Sequence, residues 1–72
     1  MKNKVAGIRV ALGLTQKDMA DIFQISKQAY WNKENGRTPF NDTEKKMFVE
    51  EAKKVFPEVS VQSIFFDNEV LK

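Results

Sequence analysis

The sequence predicts an all-α fold, a compact bundle of five short helices, and three observations carry that prediction. Apolar residues recur three and four apart in successive segments, as they do along one face of a helix. Ser, Thr, Asn or Asp stands ahead of most of these segments, where a short polar side chain can accept the free N–H groups of a first turn. No stretch reads as a strand with a partner to pair with.

Val5, Ile8 and Leu12 ahead of Gly13 place the first helix over about Lys4 to Leu12. Thr15 caps a second helix opening at Gln16, and Asp18 stands where a carboxylate favours the positive end of the helix. Its buried stripe is Met19, Ala20 and Phe23, opposite Lys17, Asp18 and Asp21. Gln24-Ile25-Ser26 breaks that helix. Ser26 then caps a third helix that runs to Asn35 and stops at Gly36, a natural left-handed terminator. The turn between the two is short, so they must cross steeply. On the third helix Ala29 and Tyr30 point toward the core and the preceding helix. Asn41 or Asp42, ahead of Glu44, opens an extended fourth helix carrying Met47, Phe48, Ala52, Val55 and Phe56, which Pro57 ends at or before Phe56. Ser60 caps a last short helix with Val61, Ile64 and Phe65.

The run from Leu14 to Gly36 resembles the helix-turn-helix of the phage repressor and Cro proteins, the XRE type. Leu14-Thr15-Gln16 opens the first of its helices, Ala20 stands where the two touch, Ile25-Ser26 opens the second and Glu34-Asn35-Gly36 closes it. Arg9 falls where that family often has an arginine paired with the glutamate at the position of Glu34. The chain from about Val5 to Phe66 can be laid on the family's five-helix plan, so the resemblance implies a lambda-repressor-like fold. Three departures stand out. Gln24 occupies a corner where glycine is usual, so an altered turn geometry is expected. Lys33 occupies a usually apolar core position, and its stem is expected to cover that surface while the ammonium reaches water. The segment from Pro39 to Pro57 is longer than in the shortest members.

A helix fits the DNA major groove, and residues on its first turns meet base edges there. Lys27 and Trp31 share one strip of the third helix, Gln28 and Asn32 the next. The resemblance makes Ser26, Lys27, Gln28 and Asn32 the base-reading candidates. Their chemistry agrees, since an amide can bond an adenine edge twice and an ammonium can donate to guanine. Gln16, at a helix N-terminus, is the leading phosphate candidate, with Lys17, Asn35 and Arg37 flanking it. Trp31 is a further contact candidate, although packing against Lys27 or another neighbour is the commoner fate of a lone tryptophan. Arg9 and Glu34 are expected to form a structural ion pair.

The 72 residues make a single domain, 1–72, with the helix-turn-helix proper at about 15–36 and no room for a separate catalytic domain. Residues 1–40 hold seven basic side chains against three acidic, and the remainder five against seven, so the positive surplus accompanies the motif. With no cysteine or histidine, and with carboxylates scattered among lysines, enzymatic activity is not expected. Neither is a metal, a cofactor or a small-molecule ligand. No signal peptide or membrane span is visible in the sequence, which points to the cytoplasm.

The expected function is sequence-specific transcriptional regulation, as a repressor of phage or mobile-element type on a double-stranded operator. A homodimer, formed either free or only on DNA, is expected to use Ile64, Phe65, Phe66, Val70 and Leu71. The alternative is a protein-interaction module, an antirepressor or assembly factor, toward which Trp31 and Phe65-Phe66 lean.

Overall fold

A computed structural model describes residues 4–66, and within them the chain is all-helical. Five helices follow in order: α1 (Lys4–Ala11), α2 (Gln16–Phe23), α3 (Lys27–Glu34), α4 (Asp42–Ala52) and α5 (Val61–Phe65). Side-chain caps start four of them. Thr15 Oγ1 accepts the Asp18 N–H at 3.0 Å while Asp18 accepts the Thr15 N–H at 2.8 Å, and Asn41 with Glu44 and Ser60 with Ser63 repeat this reciprocal arrangement. Ser26 accepts the Ala29 N–H to start α3.

The first three helices end alike. In each, an amide two or three residues past the helix body reaches back five positions, Leu14 to Arg9 O, Ile25 to Ala20 O and Arg37 to Asn32 O, while the residue before it bonds three back. This ending requires one left-handed residue, supplied by Gly13 (φ 79°), Gln24 (φ 61°) and Gly36 (φ 81°). Gln24 therefore adopts the geometry glycine would, and the altered corner expected from its side chain does not occur. The reason lies next door: Ile25 is half-buried against the core and its N–H bonds Ala20 O at 3.0 Å, and together these hold the turn shut.

The core draws on every helix: Val5 and Ile8 of α1, Met19, Ala20 and Phe23 of α2, Tyr30 of α3, Phe48, Val49 and Ala52 of α4, and Ile64 of α5. Phe40, in the connection between α3 and α4, stands at the centre of an aromatic cluster. Its ring centroid lies 6.1 Å from that of Phe23, 6.4 Å from Tyr30 and Phe48, and 5.3 Å from Phe65.

One expectation needs correction here. Helix α4 stops at Ala52, and residues 53–55 continue only as turns, with Lys54 and Val55 bonding three residues back. Proline bars the helical conformation at Phe56, so the stripe expected to run on leaves Val55 45% and Phe56 39% exposed, while Val49 fills the core instead. Lys33 is half-buried, and its ammonium has protein partners that the sequence did not suggest, lying 3.0 Å from Glu44 Oε1 and 3.1 Å from Pro39 O.

Candidate nucleic-acid interface

Helix α3 carries two kinds of side chain on its two sides. Tyr30 and Glu34, four residues apart, face inward and are buried, whereas Lys27 and Gln28 on the first turn are exposed. Gln28 Nε2 donates to Asn32 Oδ1 at 3.2 Å, which orients the Gln28 amide and leaves its carbonyl and second N–H pointing outward. Ser26 stands at the head of this strip, its oxygen accepting the cap bond and its hydroxyl proton left to donate.

The N-terminus of α2 meets this surface. Gln16, Lys27, Gln28 and Trp31 line one open cleft, and Lys17 joins Gln16 and Lys27 along an adjoining one. Trp31 is half-buried at the edge. Its ring lies under the Arg37 guanidinium, 5.3 Å from Cζ, rather than under Lys27. Asn35 Nδ2 donates to Trp31 O at 2.9 Å, which fixes the last turn of α3. Lys27 and Arg37 have no ion-pair partner among the described residues, whereas Lys17 sits 3.3 Å from exposed Asp21.

Beneath this surface Glu34 is the hub of a buried polar network. Oε2 accepts Arg9 Nε at 2.7 Å and the Tyr30 hydroxyl at 2.8 Å; Oε1 accepts Gln16 Nε2 at 2.8 Å, with Arg9 Nη2 farther off at 3.5 Å. Arg9 Nη1 donates to Leu14 O at 2.8 Å, just ahead of the α2 cap. Burial works against the Glu34 charge, but the bonds from Arg9, Gln16 and Tyr30 together outweigh it and hold the carboxyl below its ordinary range. The same bond to Glu34 raises Arg9 further, and burial with Glu34 alongside pushes the Tyr30 hydroxyl far up. The expected Arg9 and Glu34 pair is present, with side chains 14% and 3% exposed. The Gln16 and Tyr30 arms were not anticipated, although the four-residue spacing of Tyr30 and Glu34 on one helix gave the signal for the second.

The structure thus brings Gln16, Lys17, Ser26, Lys27, Gln28, Trp31, Asn32, Asn35 and Arg37 to α3 and the adjoining end of α2. The proposed dimer residues fare differently. Ile64 is buried at 6% exposure, and the half-buried Phe65 ring packs on Phe40 and Phe48, so both contribute to the core of the chain. Phe66 is half-buried with Lys45 Nζ 4.5 Å from its ring centroid. Val70 and Leu71 lie outside the described residues.

Comparison with protein-family models, with curated proteins and with solved structures gives no match to this chain.

Proposed function

We propose that this chain is a sequence-specific DNA-binding transcriptional regulator of the repressor and Cro kind, inserting α3 into the major groove as a homodimer on an operator. The observation that carries the reading is the cleft in which Gln16 meets Lys27, Gln28 and Trp31, because it sets amide and ammonium donors for base edges beside a helix N-terminus suited to phosphate. Ser26, Lys27, Gln28 and Asn32 read bases; Gln16, Lys17, Asn35 and Arg37 hold the backbone. No catalytic step is part of this function.

Selecting bound sequences from a random duplex library tests the reading directly. A consensus should emerge, bound with an affinity that falls steeply with salt. Against that consensus, Gln28→Ala should cost about 1 to 3 kcal/mol and relax preference at one base position. Equal, weak binding of all sequences would instead favour a protein-interaction module. The exposed Val55 and Phe56, which line a shallow cleft with Val59 and Ser63, are the observation on that side.

A further inference from the structure

We infer that Glu34 is a positioning residue for the phosphate contact. Through its bond to Gln16 Nε2, a buried carboxylate at the end of the reading helix holds the side chain at the start of α2 that grips the DNA backbone. The inference rests on the DNA-binding function proposed above and adds a residue that never touches DNA.

Geometry supplies the argument. Gln16 is half-buried, and a glutamine at a helix start would otherwise sample several rotamers in solvent. The 2.8 Å bond to Glu34 Oε1 fixes its amide plane and uses one N–H, so the second N–H and the carbonyl are directed away from the carboxylate. Arg9 completes the clamp from the other side, holding Glu34 with Nε and the Leu14 carbonyl with Nη1, one residue ahead of the Thr15 cap. The first turn of α2 is thereby tied to the last turn of α3. A displacement of α3 in the groove carries the phosphate contact with it.

The isosteric variant Glu34→Gln separates this role from folding. Its single oxygen will face Arg9 Nε and Tyr30, which keeps those two bonds and removes the acceptor that Gln16 Nε2 uses, together with the longer contact to Arg9 Nη2 and the charge of the pair. Asn41→Ala, which removes the α4 cap and no residue lining the cleft, serves as a control of lowered stability. Binding is measured for folded protein on cognate and random duplexes over a range of salt. Gln16→Ala and Glu34→Gln should each weaken binding about three- to tenfold on both duplexes, with the double variant no weaker than either single one. Base preference and the salt slope should stay unchanged, since a neutral amide releases no counterion. In the free protein, the Gln16 side-chain amide resonances should move with the acid titration of Glu34. Cognate binding by Glu34→Gln equal to that of Asn41→Ala, with Gln16→Ala still impaired, overturns the positioning role alone. Absence of any preferred sequence for the unaltered protein overturns the DNA-reading function itself, whatever the amide resonances do.

Discussion

Glu34 concentrates more consequence than any other side chain described. Four donor atoms from Arg9, Gln16 and Tyr30 surround a carboxylate that is 3% exposed, so removing a partner strands a charge where water cannot compensate. Arg9→Ala should cost about 3 kcal/mol in urea unfolding, well above the ~0 to 1 kcal/mol of an exposed pair such as Lys17 with Asp21. Acid should expose the same dependence. Unfolded, Glu34 titrates near its ordinary value of 4.5, and folded it titrates lower, so between those limits the unfolded chain binds more protons. Its contribution is complete above the ordinary value and disappears as pH falls through the folded one. Glu34→Gln should flatten that limb of the stability curve. Asp18, lowered by the Thr15 backbone bond, will leave a residual slope that Asp18→Asn removes.

Helix ends decide the boundaries of these elements, and they were the most legible part of the sequence. Thr15, Ser26 and Ser60 were readable as caps because a short polar side chain before an apolar stripe has few other uses, and all three cap. The end of α4 was not legible. Val55 and Phe56 keep the helical spacing, and only the competition between Pro57 and the local turn bonds shows that the stripe outlasts its helix. Gln24 misled for a related reason, since the packing of Ile25 on the core, which helps to hold its backbone left-handed, is tertiary. Gln24→Gly should raise stability by up to about 1 kcal/mol in thermal or urea unfolding, the relief of left-handed strain exceeding the added freedom of the unfolded chain. Asn41→Ala should lower it by about 1 kcal/mol through the loss of the α4 cap.

At the scale of the molecule, extents of 33 × 26 × 23 Å suit one domain to one face of about one duplex turn, ~34 Å. Two copies on a two-fold site would double the footprint. Sedimentation on a palindromic duplex should therefore give two chains per site, and monomers at saturation would remove the dimer. The exposed strip on α3 was legible because helical spacing alone separates Lys27 and Gln28 from Tyr30. What lay hidden was the support beneath it. Lys33 with Glu44, and Gln16 with Glu34, join residues distant in sequence, and only the crossing of the helices brings them together.

The sole tyrosine and sole tryptophan are neighbours in the chain yet face opposite environments, Tyr30 fully buried on Glu34 and Trp31 at the rim of the cleft beneath Arg37. The molecule therefore carries two intrinsic optical reporters that answer different questions. Tryptophan emission should change when a duplex occupies the cleft and displaces Arg37 from the ring. Tyrosinate absorbance should stay silent until the fold opens, because the native hydroxyl is held protonated past its ordinary value of 10.0. Stability linked to this group is whole below that value and drains as alkali rises through the folded one. An alkaline titration in which tyrosinate appears together with loss of helical dichroism will show both at once, whereas tyrosinate forming in a still-helical chain would place the hydroxyl in water.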